Sequence, residues 1–359
     1  MALSRLGTLA FEPDEDWGER MTAFVEPDLS VTGVLGAARG GALATDSETV
    51  GTEHLLAGVT GTKGAARDAL AAEGATKTAL FAVLRDRAGR DDAWANGDDA
   101  RNAIGARELL GDDADRRVRF TGAARDALTT AMGHARRDDA ASFDAAHLLC
   151  GLLEGENRAV ELLSACGVSP NAVLVRLDGG AGSPEDDLPP LLHATRDVVL
   201  GRGHYRHLSF WKRWLVKNTG VNLASRPAQW VGMETYEQAH RLGDGVVGTE
   251  HVLLAVLATH EVALRYPHLA RERAAGSGTR YSGGERLAHL GVDYASVHRA
   301  VTGNRVPLTD DARPVAGYLG RGAASGDAMT DPGTGPLVDT LLNEKTRARQ
   351  LVEALTAGA

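Results

Sequence analysis

The chain has 359 residues, of which 43% are hydrophobic and 24% charged, and its formal net charge is −9. This balance is typical of a globular protein with two or three domains. The negative charge argues against nucleic-acid binding, because phosphate contacts need an excess of Lys and Arg. No run of about 18 apolar residues predicts a membrane span. We expect a cytoplasmic protein, since no signal-peptide pattern opens the chain and the two cysteines, Cys150 and Cys166, are predicted core residues.

Residues 1–22 are predicted to form an N-terminal arm, and internal repeats follow. The string VGTEHLL at 50–56 returns as VGTEHVLL at 247–254, while FDAAHLL at 143–149 is a middle copy without Thr-Glu. The motif histidines are His54, His147 and His251. A glycine follows them after 20 residues in the first two copies, at Gly74 and Gly167, and after 40 residues in the third, at Gly291. The third copy therefore contains an insertion, predicted as a surface loop near 266–282.

Each copy has helical periodicity. Residues 123–135, for example, place Ala127, Leu128 and Ala131 on one face. Thr52 and Thr249 are predicted to cap the motif helices, and the glycines are predicted stops. Because the motif histidines persist where Thr-Glu is lost, we predict a packing or hydrogen-bonding role for them.

The order of helix, polar turn, GTEH-capped helix, helix and glycine resembles the repeat of the Clp N-terminal domain of ClpA- and ClpC-type unfoldases. The resemblance implies an all-α fold with one pseudo-symmetric two-repeat domain at 23–178 and a third, divergent repeat at 190–303. Gly- and Pro-rich composition predicts a linker at 179–189 and a flexible linker at 304–335. Leucine spacing predicts a C-terminal helix at 336–359.

The ATPase machinery of the unfoldases is missing from the sequence. No G-x-x-x-x-G-K-[ST] loop occurs, and H-E-x-x-H and G-x-S-x-G are also absent. We therefore expect no enzymatic activity, no metal and no cofactor. An enzyme with an unrecognised site, using His193, Asp197, His204 and His207, is an alternative.

In this family the motif Glu, with a Thr after a basic-Phe opening, helps to recognise phosphoarginine on marked proteins. The resemblance implies such roles for Glu53 and Thr52 in the first repeat, Thr121 in the second, and Ser225, Thr249 and Glu250 in the third. Asp28 replaces the Thr of the first repeat and Ala146 the Glu of the second, so only the third keeps a hydroxyl and an acid together. Simple helix capping is the alternative for each copy.

Two features are candidates for a partner surface. Arg119-Phe120-Thr121 resembles the family's opening, and Phe120 corresponds to the face on which family members bind adaptors and cyclic peptide antibiotics, with a core role as the alternative. The segment 202–217, RGHYRHLSFWKRWLVK, interleaves basic residues with aromatic ones, including Trp211 and Trp214. It predicts a basic amphipathic helix that docks on a partner or an anionic membrane surface, or one that packs on the third repeat.

The resemblance thus implies a non-catalytic protein that binds peptides, adaptors or marked substrates and modulates Clp-dependent protein quality control. Its expected partners are Clp protease or unfoldase components, their adaptors and their substrates. The alternative is a decoy that sequesters Clp-directed cyclic peptide antibiotics, and its binding would depend on Phe120.

Overall fold

Helices make up almost all of the regular backbone. The computed structural model describes residues 25–97, 102–111, 114–181, 188–207, 222–271, 280–320 and 331–357. Within these ranges the four strands are two residues long each. The predicted all-α class is therefore confirmed, while the predicted arm at 1–22 lies outside the described residues.

The first two repeats contain four helices each, in the same order. The first consists of α1 (Leu29–Ala44), α2 (Thr52–Val59), α3 (Ala65–Glu73) and α4 (Lys77–Arg87); a 3-10 turn (Asp91–Ala93) and α5 (Ala106–Leu110) follow; the second consists of α6 (Gly122–Arg137), α7 (Ala145–Leu153), α8 (Arg158–Ala165) and α9 (Pro170–Leu177). In both repeats the long first helix packs along the motif helix, α1 on α2 and α6 on α7.

Each of these two motif helices has a glycine where it meets the long helix before it. Gly58 and Gly151 both stand four residues after the motif histidine. A Cβ on Gly58 would lie 2.6 Å from the Val34 carbonyl oxygen, and one on Gly151 would lie 2.4 Å from that of Ala127. These backbones can therefore approach each other only because the side chain is absent.

Short strands join the two repeats reciprocally. The strands are β1 (Glu26–Pro27), β2 (Ile104–Gly105), β3 (Arg119–Phe120) and β4 (Ser142–Phe143). β1 pairs in parallel with β4, and β3 pairs antiparallel with β2 while Phe120 also bridges to Val50. The opening of each repeat therefore contacts the residues just before the motif helix of the other repeat.

The second half of the chain repeats this order with additions. Its helices are α10 (His193–Val199), α11 (Pro227–Leu242), α12 (Thr249–Arg265), α13 (Pro267–Ala270), α14 (Ser282–His289), α15 (Tyr294–Thr302), α16 (Ala316–Leu319), α17 (Gly335–Asn343) and α18 (Arg347–Ala357), with 3-10 turns at Pro190–Leu192 and Leu223–Ser225. α11, α12, α14 and α15 correspond to α1 to α4. The insertion begins with α13, and its residues 272–279 lie outside the described residues.

The C-terminal segment forms half of a fourth repeat. α18 packs on α12 as α8 packs on α2, and α17 packs on α14 as α7 packs on α3. The sequences agree, since LLEGENRA at 152–159 corresponds to LLNEKTRA at 341–348. The single helix predicted at 336–359 is therefore two helices. The break occurs because Thr346 starts a new helix, where its Oγ1 accepts the Arg349 N–H at 3.0 Å.

Part of the segment predicted as a flexible linker at 304–335 is bound to this fourth repeat. The N–H of Thr309 donates to Gln350 Oε1 at 2.9 Å, and the N–H of Ala312 donates to the Lys345 carbonyl at 3.0 Å. This part is anchored by backbone hydrogen bonds, which composition does not reveal. Residues 321–330 lie outside the described residues.

No described helix is by itself long and apolar enough to cross a membrane. The pair α8 and α9, bent by 97°, meets the length and composition criteria only when the two helices are taken together.

Candidate functional site

Each motif histidine closes the start of its own helix. A backbone N–H at the beginning of the motif donates to the Nδ1 of the histidine three residues later. The pairs are Gly51 with His54, Asp144 with His147 and Gly248 with His251, at 3.1, 3.1 and 3.0 Å. Because a backbone N–H can only donate, Nδ1 is the acceptor and the neutral ring carries its proton on Nε2.

The other ring nitrogen contacts the end of the preceding long helix. The Nε2 partners are Thr45, Asp138 and Asp244, at 3.0, 3.2 and 2.8 Å. One imidazole thus ties the end of one helix to the start of the next in all three copies. The predicted structural role of His54, His147 and His251 is confirmed.

The threonines of the motif join two repeats and do not cap their own helices. Gly51 and Gly248 hold the N-cap positions, so the prediction that Thr52 and Thr249 are N-caps is wrong. Thr52 Oγ1 accepts the Ala159 N–H at 3.1 Å and Thr249 Oγ1 accepts the Ala348 N–H at 3.0 Å. These hydroxyls satisfy donors at the starts of α8 and α18, which otherwise have no intrahelical acceptor.

The motif glutamates bind arginines of the paired repeat. Glu53 Oε1 lies 3.7 Å from Arg158 Nη1, and Glu250 Oε1 lies 2.9 Å from Arg347 Nη1. Both glutamates are buried, 3% and 5% exposed. Burial alone would lower the pKa of Arg347, but Glu250 and Asp310 raise it above its ordinary value.

The glutamates also explain why a glycine precedes Thr-Glu. A Cβ on Gly51 would lie 2.3 Å from Glu53 Oε2, and one on Gly248 would lie 2.2 Å from Glu250 Oε2. In the middle copy the Glu is replaced by Ala146, and there the glycine is replaced as well, by Asp144. Glycine and glutamate therefore form one unit in this motif.

The sequence suggested that Ser225 and Glu250 lie together in one site, but the structure separates them. Ser225 precedes α11 and donates to the Asn222 carbonyl at 2.8 Å, whereas Glu250 follows the other end of that helix. The 16 residues of α11 span about 24 Å. The hydroxyl and the acid are therefore separated within one repeat, because the first helix lies between them.

Residues of the second repeat, in contrast, lie close to the motif glutamate of the first repeat. The N–H of Thr121 donates to the Val50 carbonyl at 3.1 Å, three residues before Glu53. Thr121 is nevertheless 2% exposed, and its Oγ1 caps α6 by accepting the Ala124 N–H. The second repeat thus supplies backbone beside the acid of the first repeat, and the side chain that reaches the surface there is Arg119.

A cleft of about 470 Å³ opens beside Glu53. Its walls carry charges of both signs, together with one tryptophan: Asp46, Glu48, Glu53, Arg87, Arg90, Arg119, Arg158 and Trp94. The guanidinium carbons of Arg87 and Arg158 lie 4.5 and 5.2 Å from the centre of the Trp94 ring, within the range of cation–π contacts. The cleft lies at the junction of the two repeats and can contact a ligand with charges of both signs.

Glu161 fixes the wall of this cleft. Its carboxylate accepts the N–H groups of Ala95 and Asn96 at 3.0–3.1 Å and binds Arg87 at 2.7 Å. Burial pushes the pKa of Glu161 upward, but these donors outweigh it and lower the pKa. The sequence offered no motif for this wall. The Arg-Ala pair that recurs at 158–159 and 347–348 was the signal that could have located the corresponding helix start in the second half of the chain.

The equivalent position in the second half contains an acidic stretch of the chain itself. Asp311 accepts the N–H groups of Thr249 and Arg347 at 2.9 and 2.8 Å, and also the Thr249 hydroxyl at 2.5 Å. Asp310 binds Arg347 Nη2 at 3.0 Å. The carboxylate therefore stabilises the positive ends of α12 and α18 together. The sequence DDAR at 310–313 also occurs at 98–101, which lie outside the described residues.

Of the residues predicted to form a partner surface, the structure buries Phe120 and exposes Arg119. Phe120 is 1% exposed, so the prediction that its ring contacts a partner is wrong, because the ring fills the core between the repeats. Arg119 is exposed, and its Nη2 donates to the Ala103 carbonyl at 2.9 Å. Trp211 and Trp214 lie outside the described residues, so the role of the basic segment stays a prediction.

The histidines of the alternative, enzymatic site are used structurally. His193 Nε2 lies 2.9 Å from the Leu188 carbonyl oxygen, and His207 Nδ1 lies 3.1 Å from Glu237 Oε2. Asp197 binds the neighbouring Arg196. His193 and Asp197 lie one turn apart on α10, and His204 is exposed. Among the residues that the structure describes, no group of three or more His, Cys, Asp or Glu side chains could hold a metal ion.

Comparison with known proteins agrees with this architecture. Residues 119–196 match the model of the Clp repeat (R) N-terminal domain family. This stretch covers the second repeat from its opening Arg119 and continues to α10. No curated protein matches the chain. The expected resemblance is therefore confirmed over 119–196, where the chain is similar to the Clp repeat (R) N-terminal domain.

Proposed function

We propose that this protein is a non-catalytic binding protein of Clp-dependent protein quality control, and that it binds marked protein segments in the cleft beside Glu53. The observation that carries the proposal is the mixed charge of that cleft at the junction of two Clp repeats. A side chain such as phosphoarginine combines a guanidinium group with a phosphate. Glu53 would attract the guanidinium, and Arg90 and Arg119 would attract the phosphate.

The same geometry moves the best candidate site from the third repeat to the first two. Both motif glutamates are paired with an arginine, Glu53 with Arg158 and Glu250 with Arg347. Beside Glu250, however, the acidic residues Asp310 and Asp311 occupy the adjacent helix ends. An anionic ligand would meet like charges there. The Glu53 cleft has Arg90 and Arg119 at its surface instead, and this difference favours the first domain as the binding unit.

The direct test titrates a phosphoarginine-containing peptide into the full chain, with the unphosphorylated peptide as reference. We expect the wild type to prefer the phosphorylated peptide. Arg90→Gln should weaken the binding of that peptide at least about tenfold, which corresponds to about 1.4 kcal/mol. Glu53→Gln should weaken the binding of both peptides. Glu250→Gln is the matched control and should leave affinity within about twofold. Equal affinity of the wild type and Arg90→Gln would contradict the proposed cleft.

Two further measurements test the class of function. Purified protein should hydrolyse neither ATP nor casein, and measurable turnover of either would show that the protein is an enzyme. Affinity capture from native extract should recover Clp components or arginine-phosphorylated proteins. The alternative, a decoy for cyclic peptide antibiotics, is less well supported, because its binding would depend on Phe120, whose ring is buried. Unchanged affinity for such a peptide after Phe120→Ala would remove it.

A further inference from the structure

A second cleft lies between the two halves of the molecule. It has a volume of about 510 Å³. One wall comes from α3 and α8 with the turns that follow them, and from α9; the other comes from α10, the turn after it, and the junction of α12 and α13. A ligand held there would contact both halves at once.

Arginine side chains converge on this cleft from separate elements. Arg176 comes from α9, Arg196 from α10, Arg202 from the following turn and Arg265 from the last residue of α12. The carboxylates near them are fewer: Glu73 binds Arg176 at 3.1 Å, and Asp197 binds Arg196 at 2.9 Å. The described walls therefore have an excess of positive charge, in a chain whose formal net charge is −9.

The positions of two side chains indicate a site for an anion. Arg202 donates from Nη2 to the Ala72 carbonyl at 2.9 Å, which holds its guanidinium across the junction of the two halves. Arg202 is exposed, and its guanidinium has further N–H groups that can donate to a ligand. His268 also lines the cleft, and its Nε2 is buried with no hydrogen-bond partner among the described residues. It is an additional polar group that a ligand can satisfy.

We propose that this cleft binds an anion with two or more linked phosphate groups, free or as part of a nucleotide. Each guanidinium carries five N–H donors, so these arginines can also donate to a ligand in the cleft, and linked phosphates offer them oxygens that point in several directions. A single carboxylate presents two oxygens in one plane and matches only one of the four arginines. The volume also exceeds what a single phosphate fills, and it suits a diphosphate or a nucleotide.

The test is calorimetric titration of pyrophosphate and of ADP into the full chain at low salt. Wild type should bind pyrophosphate, with an affinity that falls as salt is raised, and binding should raise the melting temperature because only the folded state forms the cleft. Arg265→Gln and Arg202→Gln should each weaken binding at least about fivefold. Arg349→Gln, an exposed arginine paired with Glu353 on α18, is the control and should bind as wild type does.

The two sources of phosphate are distinguished by the same experiment. Tighter binding of ADP than of pyrophosphate identifies a nucleotide site, and equal binding identifies a site for the phosphates alone; both support the proposal. Absence of pyrophosphate and ADP binding by the wild type would overturn it. So would equal binding by Arg265→Gln and Arg202→Gln, or tighter binding of a short polyaspartate peptide, which would indicate a site for acidic protein segments. Because Arg265 is exposed, its substitution should leave the helical circular dichroism unchanged.

Discussion

At the scale of single residues, the motif histidines show how one side chain can fix the angle between two helices. Their two ring nitrogens serve different helices, and this explains why the histidine persists in the second repeat where Thr-Glu does not. The copies differ in burial: the His251 side chain is fully buried, and that of His147 is 17% exposed. Water can therefore replace some of the lost contacts of His147 but not those of His251.

We expect His251→Ala to lower the free energy of unfolding by about 2 kcal/mol, because it leaves the Gly248 N–H without an acceptor in the core. His147→Ala should cost about half as much. Urea denaturation followed by circular dichroism measures both. An equal or larger loss for His147→Ala would show that burial does not set the value of this contact.

Two other buried histidines predict sensitivity to acid. Burial, with a contribution from Arg271, lowers the pKa of His268 from 6.5 to about 4, and burial also lowers the pKa of His260. The folded protein keeps these rings neutral, while the unfolded chain takes up protons near pH 6.5. The stability is therefore complete above about pH 6.5 and is lost as the pH falls towards 4.

For His268 this loss amounts to about 3 kcal/mol. His268→Gln should reduce the difference in melting temperature between pH 7 and pH 4.5. His240→Gln, at an exposed position on α11, is the control and should keep the full difference. An unchanged pH dependence in His268→Gln would contradict the assignment.

At the scale of helices, the sequence predicted the elements that carry a motif and missed those that carry only contacts. The repeats with a histidine followed by aliphatic residues were found, because this pattern marks a helix start with its own chemistry. The fourth repeat has no such histidine. Its remaining signature is an Arg-Ala pair and a few leucines, and many unrelated helices share these. Its identity depends on packing against α12 and α14, which a single sequence does not report.

The same reasoning explains the errors at the site. The sequence paired Ser225 with Glu250 because both belong to one repeat, but residues of different repeats meet across the pseudo-symmetry axis. Phe120 was a candidate contact because the family resemblance implies a binding face there, while an aromatic residue at a helix start also fits the core. Neither question can be decided until the arrangement of the repeats is known.

Removal of the half repeat tests its importance. A chain that ends at residue 334 lacks α17 and α18, so it loses Arg347 and the Ala348 N–H that donates to the Thr249 hydroxyl. We expect the second half to become sensitive to protease while the first stays resistant. A chain that ends at Ala357 is the control. Equal resistance of the two chains in limited proteolysis would show that α12 does not need the fourth repeat.

At the scale of the whole molecule, the two halves share an architecture and differ in completeness. The first half has four helices in each repeat, and the second has a full repeat and half of another. They touch where α4 packs on α13 and where Arg202 reaches Ala72. Gly201, with φ of +74°, turns the chain beside Thr78 at this contact, a conformation that glycine adopts readily.

We expect residues 1–181 to fold alone, because all eight helices of the first two repeats and their core lie within them. The isolated fragment should unfold cooperatively, at a lower temperature than the same half within the full chain, since it lacks the contacts of α13 and Arg202. Calorimetry of both measures the difference. A fragment without a cooperative transition would show that the first half is not an independent domain.

The bonds made by Asp311 impose an order on the assembly of the second half during synthesis. The start of α12 is held by a carboxylate 62 residues later in the chain, and by the Ala348 N–H 99 residues later. A nascent chain that has just exposed α12 therefore lacks the groups that complete it. The first half can finish folding on the ribosome, whereas the second half must wait until residue 348 has emerged.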